Sequence, residues 1–376
     1  MGSETCRTLL INTKVSGLKQ PQVVAVLKDS ATVDQALKVL AENKILSAPV
    51  VVAQEGDDAS QSATVQPGEA ADILGFVDIK NILDSFLSEI DIPELNQVKL
   101  LQRMRELEER GAAFAEKPLK ELKYMGTDGD FIHASQARST LLELVLNGLL
   151  QPRNRGGGRG GSVVHRIALF NSDGAITQII SQTDIVKFLA RHKEQLGPLS
   201  TKTVEELGLV SGRVECIDPG TPAIEAMAAM SYKGLSSLAV VDPNGKILGN
   251  FSVSDMRTLM AEHFGALALP VGEFLAHEHR TEYVAFNRVR AEEEGIAGRA
   301  GHKFVVDRVA RQRPRTPGEE VGQELVLARP GQTLVSVMEL LVARRIHRVY
   351  VVDEEEKPVG IITCTDILRK LLQMAQ

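Results

Sequence analysis

The chain has few cysteines, no long apolar run and no excess of positive charge, and each absence removes a class of protein. Only Cys6, Cys216 and Cys364 occur in 376 residues. They are odd in number and too scattered for a zinc site or a disulfide framework, which points to a reducing compartment, cytosol or nucleus. No stretch approaches the roughly 18 uninterrupted apolar residues of a membrane span. The first residues lack the basic segment and apolar run of a secretory signal. Met1-Gly2-Ser3-Glu4-Thr5-Cys6 comes near a myristoylation signal but carries Cys6 where Ser or Thr is preferred, so no membrane partner is expected. A net charge of −6 and a pI near 5.8 give no basic field for nucleic acid. A nucleophile paired with a base, a cluster of metal ligands and a phosphate-transfer loop are missing too, so neither turnover, nor a metal, nor a cofactor is expected. His277-Glu278-His279, read as one face of a strand, has no partner ligands and belongs to the surface.

What is present is length enough for two ordinary domains, with 43% hydrophobic residues to fill their cores. Laid on itself, the chain repeats. Val164-His165-Arg166-Ile167-Ala168-Leu169-Phe170 runs on through Ile179-Ile180-Ser181-Gln182-Thr183-Asp184-Ile185. It matches Ile346-His347-Arg348-Val349-Tyr350-Val351-Val352 through Ile361-Ile362-Thr363-Cys364-Thr365-Asp366-Ile367 without a gap, His preceding Asp by 19 positions in both. A third copy has Ser236 in place of His and ends in Ser252-Val253-Ser254-Asp255 at the same 19-position interval. A first copy, Leu46-Ser47-Ala48-Pro49 followed by Gly75-Phe76-Val77-Asp78, is 12 residues longer between the same landmarks. Its extra residues, rich in Gly, Ser, Asp and Gln, read as a solvated hairpin loop.

Helix signals precede each copy. Thr32 can cap a helix whose apolar face is Val33, Ala36, Leu37 and Leu40. Thr140 and Thr333 stand likewise before Leu141, Leu144 and Val145 and before Leu334, Val337, Met338 and Leu341, and Pro222 suits a first turn. Short β-branched runs flank these helices, so each unit reads strand, helix, strand, strand, helix, with the Asp landmark opening the last helix. Units this small expose too much apolar surface to stand alone, and four make two pairs. The expected organisation is repeat 1 at 10–92 with a long loop at 54–72, and an inserted helix and linker at 93–117. Repeat 2 follows at 118–195 with a Gly/Arg loop at 152–162, then repeat 3 at 200–265 and repeat 4 at 268–376 with an insertion at 276–323. The Gly/Arg loop lacks the strand-to-helix setting of a phosphate loop.

A hydroxyl-x-hydroxyl-Asp signature heading a closing helix after an apolar strand resembles the CBS (cystathionine-β-synthase-type) repeat. The fold this implies is α/β (α+β), four CBS repeats in two tandem pairs forming a pseudo-symmetric disk. More narrowly, Ile346 to Asp353 with Gly360-Ile361-Ile362-Thr363, and Val164-His165-Arg166-Ile167, resemble the γ subunit of the AMP-activated protein kinase. They are similar also to the γ-type proteins of the sucrose-non-fermenting-related kinases of plants. The resemblance implies a non-catalytic regulatory subunit that binds AMP, ADP or ATP between paired repeats and partners the catalytic and β-type subunits of a protein kinase. Carried over by motif, the nucleotide residues are His165, Arg166, Ser181, Thr183 and Asp184 in repeat 2 and His347, Arg348, Thr363, Thr365 and Asp366 in repeat 4. Repeat 3 keeps Ser252, Ser254 and Asp255 without His-Arg, and repeat 1 keeps Asp78 alone.

These residue types suit that chemistry. A carboxylate accepts two hydrogen bonds from the vicinal hydroxyls of a ribose, the guanidinium fork fits phosphate oxygens, and histidine adds a donor whose charge responds near neutral pH. Each also has a structural reading: Asp, Ser and Thr at a helix start are good caps, and His-Arg can be an interface pair. A scaffold of CBS repeats with vestigial nucleotide sites is therefore the alternative function.

Overall fold

The computed structural model describes residues 2–53, 63–67, 72–123, 134–135, 139–150, 152–153, 162–163, 165–173, 175–210, 212–279 and 325–375. Within them the repeat scheme recurs four times. A short strand leads into an opening helix, then a two-stranded hairpin, then a closing segment. In repeat 1 these are Val24–Lys28, Val33–Glu42, Ser47–Val51 with Ile73–Asp78, and Ile79–Leu87. The lead strand lies parallel to the first hairpin strand, and the hairpin is antiparallel. All four hairpins break register at one place, after Val50, Leu169, Val240 and Val351, so the bulge is a property of the repeat.

The caps form where the sequence places them. The Thr32 and Gln35 side chains satisfy each other's backbone N–H, Thr140 and Glu143 do the same, and Thr333 Oγ1 accepts from the Ser336 N–H at 3.2 Å. We expect Thr333→Ala to cost about 1 kcal/mol, read as a lower urea midpoint at unchanged slope.

Four apolar clusters join the repeats in a ring. One combines the helices of repeats 1 and 3 with the inserted helix Leu100–Ala115, around Leu37, Ile82, Phe114, Met227 and Phe264. A second combines repeats 2 and 4 with the N-terminal helix Gly2–Asn12, around Leu10, Leu189, Met338 and Leu371. The sheets close the other two sides, Phe76 with Phe170 between repeats 1 and 2, and Ala239 with Tyr350 between repeats 3 and 4. The four units thus form a disk in the cyclic order 1, 2, 4, 3. The strips that head each pair are exchanged: Lys14 bridges to Thr140 in repeat 2, while Pro118, after repeat 1, returns to Thr32. The second pair repeats this with Thr203 to Thr333 and Pro270 to Pro222.

Several expectations change. Repeat 3 does not close with an α-helix from Asp255 but with two 3-10 segments, Val253–Thr258 and Ala261–Ala268. The second is wedged against Leu100–Ala115, where a Cβ on Gly265 would lie 3.0 Å from the Met104 carbonyl. Val271–His279 is helical, so His277 and His279 do not lie on a strand. Part of the long repeat-1 loop is an edge strand, Ala63–Val65, antiparallel to Val24–Val26. The rest of that loop (54–62 and 68–71), most of the Gly/Arg loop and the insertion from 280 onward lie outside the described residues.

Candidate functional site

The hairpin register fixes which residues correspond. Arg166 opposes Ser181, Ser237 opposes Ser252, Arg348 opposes Thr363, and in repeat 1 Ser47 opposes Asp78. Each of the four right-hand residues caps the closing segment that follows. Asp78 therefore stands where the other repeats have a hydroxyl, and Asn81 occupies the carboxylate position. Asn81 N–H donates to Asp78 Oδ1 at 2.7 Å and Asn81 Oδ1 accepts from Asp78 N–H at 3.1 Å. The expected equivalence of Asp78 with Asp184 is thus corrected to a cap. The loop between the landmarks is 16 residues longer than in the other repeats instead of 12, and nothing in the periodicity of a loop reveals its length.

In the other repeats the capping box holds the carboxylate by one oxygen. Asp184 Oδ2 accepts from the Ser181 backbone at 2.8 Å and hydroxyl at 2.7 Å, Asp255 Oδ2 from Ser252 at 2.6 and 2.9 Å, and Asp366 Oδ2 from Thr363 at 2.9 and 2.6 Å. The two readings of these residues, cap and ligand, are compatible, since the box engages Oδ2 and a carboxylate has a second acceptor oxygen. In repeat 2 Asp184 Oδ1 lies 4.0 Å from Lys19 Nζ, a residue the sequence pattern does not single out. Ser254 Oγ sits 2.7 Å from Ser252 Oγ.

The arginines reach across each pair. Arg166 donates to Ser47 Oγ of repeat 1 at 3.0 Å, and Arg348 to Ser236 O and Oγ of repeat 3 at 2.9 and 3.0 Å. Burial lowers the Arg348 pKa, while Tyr350, Asp255 and Cys364 act the other way. Tyr350 donates to Asn250 Oδ1 at 3.1 Å and is pushed up to about 12, chiefly by burial. Burial likewise lifts the Cys364 thiol to about 11. Tyr350 and Cys364 are neutral at physiological pH.

The pairs meet at the helix starts of repeats 2 and 4. Thr183 Oγ1 lies 3.0 Å from His347 Nδ1. Thr365, expected to assist a nucleotide, instead donates to Gln182 Oε1 at 2.8 Å, and Gln182 Nε2 donates to the Leu149 carbonyl at 3.1 Å. That hydroxyl is buried and committed, so Thr365 holds the two pairs together and is corrected from ligand group to interface residue. His347 is solvent-exposed beside Thr183 of repeat 2. Its pKa falls from the ordinary 6.5 to about 4, first because the surroundings dehydrate it and then because Arg166, Arg348, His165 and Arg257 repel a further positive charge. Between those two values the unfolded chain binds a proton there that the folded chain does not, so this group makes stability fall as pH drops from about 6.5 towards 4.

His347 of repeat 4 thus feels Arg348 of its own strand, Arg166 and His165 of repeat 2 and Arg257 of repeat 3. Arg257, Gln182 and Lys19 escaped notice because their counterparts in the other copies differ in type. Among the described residues there is no cluster of His, Cys, Asp or Glu able to hold a metal, and no helix is long and apolar enough to cross a membrane.

Comparison with known proteins agrees with this architecture. The CBS domain model matches residues 204–262 and 320–373. Among relatives, Protein SDS23 of Meyerozyma guilliermondii is 25% identical over 251 residues, 65% of this chain and 44% of that protein. Protein SDS23 of Saccharomyces cerevisiae is 35% identical over 113 residues, 26% of this chain and 21% of that protein. This chain thus spans less than half the length of those relatives. Among solved structures, a Methanocaldococcus jannaschii protein described as a candidate archaeal homologue of g-AMPK superposes with a TM-score of 0.57. It is 18% identical, and the match covers 95% of this chain and 99% of that one.

Proposed function

We propose, from the premise that the chain is a CBS-domain protein, that it is a non-catalytic regulatory protein binding adenine ribonucleotides between its paired repeats. One observation carries this reading. Arg166, Arg257, Arg348 and His165 all act on His347 as like charges, while carboxylates pinned by capping boxes stand at the heads of the closing segments of repeats 2, 3 and 4. Cations acting on one another in this way suit a polyanion. A carboxylate held by one oxygen suits the paired hydroxyls of ribose. Asp366 and Asp184, with Thr363, Ser181 and Thr183, would take the ribose, Asp255 with Ser252 and Ser254 a third, and His165, Arg166, His347 and Arg348 the phosphates. Repeat 1, with Asn81 in the carboxylate position, would take none.

A protein kinase, through its catalytic and β-type subunits, is the partner we propose, on the resemblance of the two His-Arg repeats to kinase γ subunits. The relatives found by sequence carry the name Protein SDS23 instead, so the nucleotide half of the reading stands independently of the kinase half. Cytosol or nucleus is the proposed location.

Isothermal titration of the whole chain with AMP, ADP and ATP tests the ligand. Saturable binding that weakens in Asp366→Asn is the expected result, and no heat with any of the three at millimolar concentration overturns it. A scaffold reading is favoured by the Lys19–Asp184 pair and by Asn81, which stands where the other three repeats have a carboxylate. Capture of kinase subunits from a defined mixture, undiminished in Asp366→Asn, is what that reading predicts.

A further inference from the structure

We propose that residues 15–22, the strip that heads repeat 2, are a strap over the repeat-2 site, held shut by Lys19 on Asp184 and pushed open by the buried side chain of Gln178. The inference rests on the nucleotide reading above and concerns the regulation of one of its sites. The strip is the counterpart of residues 204–211 on repeat 4. Leu141 N–H donates to Thr13 O at 2.9 Å and Val15 N–H to Ser139 O at 3.0 Å, just as Leu334 N–H donates to Lys202 O at 3.0 Å and Val204 N–H to Gln332 O at 2.9 Å. Counted from these bonds, Lys19 stands level with Gly208 and Pro21 with Val210. Further on, the repeat-2 strip meets its hairpin through Gln22 N–H, which donates to Thr177 O at 3.2 Å.

Two differences set repeat 2 apart from repeat 4. The first is in the hairpin, where Gln178 opposes Leu169 at the register position held by Gly75, Gly249 and Gly360 in the other repeats. In repeat 4 the strip lies directly on that glycine, since a Cβ on Gly360 would stand 3.0 Å from the Val210 carbonyl oxygen. Repeat 2 has to fit a whole side chain there. Gln178 is 0% exposed, and neither its Oε1 nor its Nε2 has a hydrogen-bond partner; among the described residues no other buried side chain is left so. A buried carboxamide without partners carries a cost that hydration relieves, so the closed strip is less stable than its counterpart on repeat 4. The second difference is Lys19, whose ammonium lies 4.0 Å from Asp184 Oδ1, whereas Gly208 has no side chain to offer Asp366. This pair is partly exposed and therefore weak, so it offsets only part of the Gln178 cost. A ribose that takes Asp184 displaces Lys19, removes the hold and leaves the push, and the strip opens as the site fills. Repeat 4 has neither group, and its site fills without moving its strip.

Hydrogen exchange of the Gln22 amide in the full chain, followed by NMR, reports opening of the strap. The Leu209 amide, which donates to Val204 O at 2.9 Å on the repeat-4 strip, is the reference. Without ligand, Gln178→Leu should slow Gln22 exchange about tenfold by removing the unpaired carboxamide, and the unbranched Gln178→Met should do the same where leucine does not fit. Lys19→Ala should speed it a few-fold, roughly the worth of an exposed ion pair. Leu209 exchange should be unchanged in all three variants. Saturating AMP should speed Gln22 exchange in the wild type by about the factor seen for Lys19→Ala and should have no further effect in Lys19→Ala. Gln22 exchange that is unchanged or faster in both Gln178 variants overturns the inference, a trapped water then satisfying the carboxamide. If calorimetry shows AMP binding while Gln22 exchange in the wild type is unmoved or slowed, the inference fails and the nucleotide reading stands. If AMP does not bind, the nucleotide reading fails, and the ligand-free exchange of the three variants decides the strap alone.

Discussion

Gly111→Ala should lower the stability of the chain by about 3 kcal/mol, measured by urea denaturation. Gly111 lies on the inserted helix Leu100–Ala115, and a methyl group there would land on the Cβ and ring of Phe264. Phe264 has no room to yield, because its ring packs 4.6 Å from Phe86 and 6.2 Å from Phe114, centroid to centroid. All three rings are buried in the cluster that ties repeat 1 to repeat 3. The backbone has to part, and the cost falls on the interface that closes one side of the disk. Gly17→Ala is the control, since a Cβ there meets nothing within 4 Å. It should be neutral or stabilising by up to about 1 kcal/mol, through the reduced freedom of the unfolded chain. If Gly111→Ala behaves like Gly17→Ala, the packing of the inserted helix against repeat 3 is wrong.

Arg348→Ala should weaken AMP binding by about a hundredfold. It removes a charge-assisted phosphate contact worth up to about 3 kcal/mol. The guanidinium is held in place by two hydrogen bonds to Ser236, so little freedom remains to be lost on binding. Arg348→Lys should recover only part of the loss, because an ammonium is a point charge and cannot present the planar fork. Arg348 also joins repeats 3 and 4, so thermal unfolding has to accompany the titration. Ser236→Ala removes one tether without removing the cation and should weaken binding far less. Equal AMP affinities for Arg348→Ala and wild type, with both folded, would remove Arg348 from the site.

Much of the local structure was legible in the chain. Thr32, Thr140 and Thr333 cap helices whose apolar faces follow at helical spacing, and both signals act within one or two turns. The His-Arg and hydroxyl-x-hydroxyl-Asp pattern was legible for a similar reason. It spans a single hairpin, and a hairpin of constant length keeps its two ends opposite each other. Where the hairpin is interrupted the pattern misleads: it sets Asp78 level with the carboxylates, whereas Asn81 holds that place. The capping box explains why the slip is easy to make: Asp is a good cap as well as a good ligand, and a single sequence offers both choices at neighbouring positions.

Thr365 shows the second limit. By pattern it equals Thr183, yet Thr183 turns to His347 and Thr365 to Gln182. The distinction comes from residue types at the first helical position, Gln182 in one repeat and Cys364 in the other, meeting across a separation of more than 180 residues. No local rule carries that information.

By itself, then, the sequence determined four repeats, most of their strands, helices and caps, and the recurring His-Arg and hydroxyl-x-hydroxyl-Asp pattern, because each of these depends on neighbours along the chain. Only the tertiary structure decided the cyclic order of the repeats, the exchange of their leading strips and the reach of Arg166 and Arg348 across each pair to Ser47 and Ser236. Those outcomes follow from burying the remaining apolar faces of four marginal units against one another, and which face meets which is settled by shape and volume across the whole disk.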